Sequence, residues 1–252
     1  MNLLPILLFA LSIETFRAET TVRHAITSAP PYIVDGPLVS VVTITYNEEK
    51  YLPDLLASIS NQTYQNIEVI VSDGLSTDST VRIAHEAGAI VAIEPEYNLS
   101  KARNTGTRAA HGDILIFIDA DTVPEQIAIE RVMIAIDNGA EMVLINRCCT
   151  DSYFQSILRV AGGWLPAIGY HYSSANGQFI AVTKQAYDSI GGFDETCLPQ
   201  EGHGEDVDFI KRISERFPVA RLRTVYAGTS GRRQKKEGYI VPQHWQARSI
   251  RG

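Results

Sequence analysis

Asp119 and Asp121 stand two residues apart at the end of the run "DILIFIDADT". A charge is costly to bury unless it is paired or bound. Either the strand reaches solvent here, or a cation and its ligand belong at this point. Hard divalent cations prefer oxygen ligands, and Mg2+ keeps water while it contacts substrate phosphates. Residues two apart on an ideal strand share a face, but here the chain is turning outward. One carboxylate could then reach a metal and the other a sugar hydroxyl or water. A capped turn before a helix opened by Pro124 is the plain alternative.

Other polar residues end other strands. Thr45 to Asn47 close "VSVVTITYN", and Asp73 closes "IEVIVSDG". Asp73 could accept from a pyrimidine N3–H, bind a ribose hydroxyl, or brace the turn at Gly74. Arg103 in "SKARNTG", with Lys101 as a lesser companion, could face the nucleotide or a phosphate, or pair with an acidic neighbour. Asp206 in "GEDVDF" stands near a helix N-terminus, where the helix field favours a carboxylate. It could take a proton from an acceptor hydroxyl, provided that it lies within hydrogen-bond reach.

Arg232 and Arg233, with Lys235 and Lys236, make a compact positive patch. Arginine grips phosphate bidentately and lysine binds it as a point charge. The patch could balance a departing diphosphate, hold an acceptor phosphate or an anionic membrane, or be a solvated loop. His203 and His244 are candidate third metal ligands, although neither has a ligand-spaced partner. Trp164 and Tyr170 could form an acceptor platform or fill core.

The elements that must position these residues alternate. From Val39 to Asp121 four β-rich runs take turns with helical ones, joined by short links. "EEKYLPDLLASISNQ" places Leu52, Leu55, Leu56 and Ile59 on one face. "STDSTVRIAHEAG" is a helix with Gly88 as terminator. Such alternation predicts an α/β fold: a parallel sheet covered by helices on both faces. Ligands bind such sheets beyond the carboxyl ends of the strands. Three separate strands deliver polar residues to that edge, which marks a site rather than scattered surface charge. After Pro124 a helix is predicted to about Asn138, then the strand "AEMVLINR". An aromatic, Gly-rich stretch follows, then a strand with a short helix, a helix from "GEDVDF" and a closing strand "VARLRTVYAG".

The chain has 252 residues, 45% of them hydrophobic and 20% charged, with a formal net charge of -7. That acidic balance disfavours a general nucleic-acid binder, which shows a basic footprint. Three cysteines, Cys148, Cys149 and Cys197, have neither disulfide-scaffold density nor zinc spacing, which fits a reducing, cytoplasmic setting. The apolar start "MNLLPILLFALSI" falls short of the roughly 20 residues of a spanning helix. It reads as an interfacial or partner-facing helix, so a peripheral contact with the cytoplasmic face of a membrane stays open. No "GxGxxG" follows the first strand and no "GxxxxGK[ST]" occurs, so neither a dinucleotide fingerprint nor a P-loop is present.

Taken together, "VSVVTITYNEEKYLPDLLASISNQTYQNIEVIVSDGLSTDST", "ARNTG", "FIDADTVP", "NGQFIAVTKQAYDSIGGFDE" and "GEDVDF" resemble the inverting family 2 glycosyltransferases of the GT-A fold, over roughly Val39 to Phe217. The resemblance implies a mostly parallel, Rossmann-like sheet with a smaller acceptor-side part. It implies a UDP- or GDP-sugar donor, Mn2+ or Mg2+, and an acceptor sugar, glycolipid or lipid phosphate. It makes Asp121 the metal ligand, Asp119 a ribose and metal-shell contact, and Asp73 the base contact. Asp206 becomes the general base, with Glu205 placing the acceptor. Members often carry two acids where this chain has "SDG", so Ser72 departs from the pattern at the base site.

The implied organisation is an N-terminal helix and connector over 1–38, a catalytic domain over 39–229 and a basic tail over 230–252. The catalytic domain divides into a nucleotide-binding part, 39–123, and an acceptor-side part, 124–229. The implied reaction is a single displacement in which an acceptor hydroxyl attacks the anomeric carbon of a nucleotide sugar. A nucleotidyltransferase would be expected to carry a basic, Gly-rich loop after its first strand, where this chain reads "TYNEEKYLPD". A non-catalytic sugar- or partner-binding module is the other alternative.

Overall fold

The computed structural model describes residues 36–149, 179–197 and 204–229. Four aliphatic runs form the parallel strands β1 (Val39–Thr45), β2 (Ile67–Asp73), β3 (Ile90–Ile93) and β4 (Ile114–Asp119). Between them lie α1 (Leu52–Ser60), α2 (Thr80–Glu86) and α3 (Leu99–Arg108). The apolar stripe of α1 is buried as predicted, at Leu52, Leu55, Leu56 and Ile59. Past α2, Gly88 takes a positive φ of 77°, a conformation that glycine adopts without a Cβ penalty. Asn98 caps α3 by accepting from the Lys101 N–H at 3.0 Å, which satisfies one of the orphan donors of the first turn.

The second part adds β5 (Thr122–Pro124), α4 (Ala128–Asp137), β6 (Met142–Cys149), β7 (Phe179–Thr183), α5 (Lys184–Ser189), α6 (Glu205–Ser214) and β8 (Val219–Thr229). Across the sheet the strands run β3-β2-β1-β4-β7-β6-β8-β5. β7 lies antiparallel to both β4 and β6, β6 and β8 are parallel, and β5 is antiparallel to β8. The result is a mixed, mostly parallel sheet flanked by helices. One expectation is corrected here: Pro124 closes a strand instead of opening a helix, and the helix begins at Ala128. Thr122, Val123 and Pro124 find partners in Thr229, Gly228 and Ala227, and an outer strand tolerates a proline that cannot donate. Only Ala120 and Asp121 therefore separate β4 from β5.

Both sheet faces are covered. Val42, Ile70, Leu115 and Phe117 face a core shared with Tyr187 of α5 and with Phe209 and Ile213 of α6. Val41, Val71 and Ile116, which alternate with them along the strands, are equally buried. Phe117 meets Phe193 edge-on at a centroid separation of 4.9 Å, and Phe193 stacks on Phe209 at 4.1 Å. Such aromatic pairs add about 0.5–1.5 kcal/mol each beyond their buried area. They seat α6 beside the end of β4. Among the described residues no helix is long and apolar enough to cross a membrane.

α3 lies unusually close to the sheet at Gly106, where a Cβ would stand 2.5 Å from Val42 Cγ1 and 3.3 Å from Ser72 Cβ. That approach also explains the small residue at 72, which is fully buried. Gly106→Ala should therefore destabilise the fold. Overpacking costs about 1–3 kcal/mol, and the gain of about 1 kcal/mol in helix propensity offsets only part of it. A lower urea midpoint with an unchanged m-value is the expected result.

Candidate active site

The carboxyl ends of β1, β2 and β4 lie side by side: Thr45 is in register with Asp73, and Ile44 with Asp119. Because β1 lies between β2 and β4, the strand order reverses at the β1/β4 boundary, where open α/β sheets form their ligand crevice. Alternation along β1 puts Ile44 and Thr45 on opposite faces. Asp119 therefore belongs to the α3 face, and Thr45 and Asp73 to the other. The candidate residues straddle the sheet edge.

On the second face Asp73 is fully buried. Its carboxylate accepts from Thr45 Oγ1 at 2.8 Å, from the Ser76 N–H at 2.7 Å and from Ser76 Oγ at 2.6 Å. The geometry gives Asp73 the bracing role weighed for it. Sequence reasoning missed Ser76, although a serine three residues after an aspartate is a usual turn partner. Asn47, with a positive φ of 54°, locks the neighbouring loop. Its backbone N–H donates to Ser76 Oγ at 2.8 Å, and its Oδ1 accepts from the Thr77 N–H at 2.8 Å. Farther along, the Glu48 N–H donates to Thr80 Oγ1, the Glu49 N–H to Asp78, and the Ser79 N–H to Glu49. These bonds join the loops after β1 and β2 into one wall. Tyr46 and Tyr97 meet edge-on above it, with centroids 5.7 Å apart, and both are exposed.

On the α3 face Arg103 is only 5% exposed. Nη1 pairs closely with Glu205 Oε1, and Nη2 faces Asp119 Oδ1 at 3.5 Å. The guanidinium also lies over the Phe193 ring, 5.2 Å from its centroid. Burial works against the charge, but Glu205, Asp119 and Asp206 outweigh it and hold the pKa above the ordinary arginine value. Of the two roles foreseen for Arg103, the contacts show the ion pair. Lys101 instead pairs with Glu96.

Asn104, next in sequence, went unnoticed as a site-building residue. Its Nδ2 donates to Phe193 O and to Glu195 Oε1, both at 2.9 Å. Its Oδ1 accepts from Tyr187 OH at 2.6 Å and from the Phe193 N–H at 3.0 Å. Arg212 of α6 grips the same loop through Ile190 O at 3.2 Å and Gly192 O at 2.9 Å. The visible signal was the pair Gly191–Gly192, whose φ values of 77° and 75° are costly for other residues.

Asp206 lies in the first turn of α6, and its Oδ1 accepts from the Val207 N–H at 2.8 Å. Glu205, its neighbour, is drawn to Arg103. Among the described residues no group of three or more His, Cys, Asp or Glu forms a preassembled metal cage. Asp119, the last residue of β4, and Asp121, in the two-residue link that follows, supply two carboxylates. That oxygen-only set suits Mn2+ or Mg2+ held jointly with substrate phosphates better than a caged structural metal. His203, His244, Arg232, Arg233, Lys235, Lys236, Trp164 and Tyr170 lie outside the described residues, as does the 1–35 segment. Cys197 is half-buried, and burial, followed by Asp208 and Asp194, pushes its pKa up.

The fold and this carboxylate-lined edge define an α/β protein of the GT-A type. The family model described as "Glycosyl transferase family 2" matches residues 40–171, over half of the 252-residue chain. The chain belongs to that family. It is 31% identical over 118 residues to the putative glycosyltransferase EpsH of Bacillus subtilis, an alignment covering 45% of this chain and 34% of EpsH. It thus spans well under half the length of that relative.

Among solved structures it resembles the mannosyltransferase PcManGT of Pyrobaculum calidifontis, determined with GDP-Man and Mn2+. The TM-score is 0.59 at 22% identity, covering 87% of this chain and 66% of that one. It also resembles glucosyl-3-phosphoglycerate synthase of Mycobacterium tuberculosis, determined with Mn2+, UDP and glucosyl-3-phosphoglycerate. There the TM-score is 0.59 at 20% identity, with coverage of 83% and 80%.

Gly204 precedes α6, and a Cβ there would stand 2.6 Å from Asp206 Oδ1. The obstructed atom ends a flexible side chain, so Gly204→Ala should displace the Asp206 carboxylate at little cost to the fold. A crystal structure of the variant should show the Asp206 Oδ1–Val207 N–H hydrogen bond broken. The melting temperature should stay nearly unchanged.

Proposed function

We propose that the chain transfers a sugar from a nucleoside-diphosphate sugar to an acceptor hydroxyl by single displacement with inversion. The observation that carries this reading is the meeting of Asp119 and the Glu205–Asp206 pair at one sheet edge through Arg103. Membership of glycosyl transferase family 2 and GT-A neighbours solved with UDP or GDP sugars and Mn2+ support it. We assign residues 39–123 to the donor and 124–229 to the acceptor side.

In this reading the wall built from the loops after β1 and β2 receives the nucleotide. Thr45, Asn47 and Asp73 shape it, and Asp73 is the candidate contact for the base once the Ser76 turn yields. Asp119 and Asp121 would hold Mn2+ or Mg2+ against the diphosphate. When bound, the cation offsets negative charge growing on the leaving group. Asp206 accepts the proton of the acceptor O–H as that oxygen bonds to the anomeric carbon. The bond from that carbon to the diphosphate oxygen breaks on the opposite side, so the configuration inverts. Asp206 is placed for this task in the first turn of α6, next to the Glu205 that Arg103 holds. Arg232 and Arg233 are proposed to meet phosphate, either on the donor or on a lipid-phosphate or glycolipid acceptor. A peripheral membrane contact through the terminal segments belongs to the same proposal.

The test is turnover of UDP-glucose, UDP-GlcNAc and GDP-mannose with Mn2+, with Mg2+ and with chelator. One donor should release nucleoside diphosphate only with metal. Asp121→Ala should lose that activity, and Asp206→Asn should keep nucleotide binding while losing at least about 100-fold in kcat, as removal of a general base predicts. Absence of binding by every donor would instead favour a non-catalytic module. Pyrophosphate release would point to nucleotidyl transfer.

A further inference from the structure

We propose that Arg103 is a positioning residue for the Glu205–Asp206 pair and not a ligand for the donor's phosphates. The inference rests on the transferase reading above. It concerns which charge holds the acceptor-side carboxylates in register with the donor-side one.

The guanidinium is already committed. Its two terminal nitrogens face Glu205 and Asp119, and its plane lies over Phe193. Only 6% of the side chain is exposed, so a phosphate would have to displace a carboxylate to reach it. Its mount is equally fixed. Gly106 presses α3 onto β1 and β2, and Asn104 ties the same helix to Tyr187, Phe193 and Glu195. Arg103 is thus a strut on a rigid base, reaching across to the first residue of α6.

The two acids of the pair consequently differ. Glu205 is 13% exposed and engaged by Arg103. Asp206 has its Oδ1 on the Val207 N–H, and its charge helps to hold the Arg103 pKa up. Pinning Glu205 fixes the first turn of α6 and thereby the direction of the Asp206 carboxylate. Without Arg103, Asp119, Glu205 and Asp206 would share one small region with no buried cation between them, and the first turn of α6 would shift. The bound nucleotide would keep its Asp119–Asp121 site, while the base would lose its aim.

A double-mutant cycle on the full chain distinguishes positioning from donor binding. Arg103→Gln, Glu205→Gln and the double variant are compared with wild type for donor turnover and for UDP and GDP binding with Mn2+. If Arg103 acts through Glu205, each single variant loses about 10–100-fold in kcat, and the double variant is no slower than the worse single one by more than about threefold. Nucleoside diphosphate Kd stays within about threefold throughout, and Arg103→Lys recovers part of kcat because it restores charge without the fork.

The proposal is overturned if Arg103→Gln weakens nucleoside diphosphate binding about tenfold or more while Glu205→Gln does not, or if the losses in kcat multiply. Should Arg103→Gln fail to fold, the double variant carries the test, since it neutralises both sides of the closer contact and removes the cation only from the longer one, to Asp119. In that case the double variant must bind nucleoside diphosphate normally and be impaired in kcat, and weak binding overturns the proposal. A wild type that neither binds a nucleoside diphosphate nor transfers a sugar overturns the transferase reading itself, and this inference with it.

Discussion

One buried cation organises the carboxyl edge of the sheet. Arg103 enters from α3 and meets carboxylates from two other elements, Asp119 at the end of β4 and Glu205 at the start of α6. A buried ion pair is a poor source of net stability, because desolvation cancels much of the attraction. Removing one partner is another matter, since it strands the remaining charges at a cost of about 3–5 kcal/mol. The arrangement therefore specifies geometry more than it adds strength. It forces the carboxylates of β4 and α6 into a single relative placement.

Everything around that cation serves to keep it in place. Gly106 lets α3 sit close to β1 and β2, and Asn104 satisfies all four of its hydrogen-bonding positions on Tyr187, Phe193 and Glu195. The rings of Phe117, Phe193 and Phe209 fill the space beneath the guanidinium and set the depth of α6. On the opposite face the hydrogen-bonded loops after β1 and β2 form a second wall around buried Asp73. Two hydrogen-bonded walls thus stand on opposite faces of the sheet at the carboxyl ends of its strands.

Much of this was legible in the sequence. The alternation of β-branched runs with amphipathic helices pointed to parallel strands at β1 to β4, though not to their order, and polar residues at three strand ends marked the edge. Asp119, Asp121, Glu205 and Asp206 stood out because acids at such places carry a cost or a field that demands explanation. That Arg103 and Glu205 would pair with one another was not legible. They lie 102 residues apart, and only tertiary packing brings the two together. Pro124 misled because proline opens helices as readily as it ends edge strands, and the choice was made by a pairing with distant β8. Asn104 was invisible for a related reason: a polar residue in a helix gives no sign of whether it faces solvent or clamps a loop.

A crystal structure of the chain with a nucleoside diphosphate and Mn2+ would test the account most directly. The account predicts the cation on Asp121 and Asp119 beside the diphosphate, with Arg103 still paired to Glu205 and Asp206 facing the space beyond the diphosphate. Arg103 swung off Glu205 onto the diphosphate, or a cation bound away from Asp121, would contradict it.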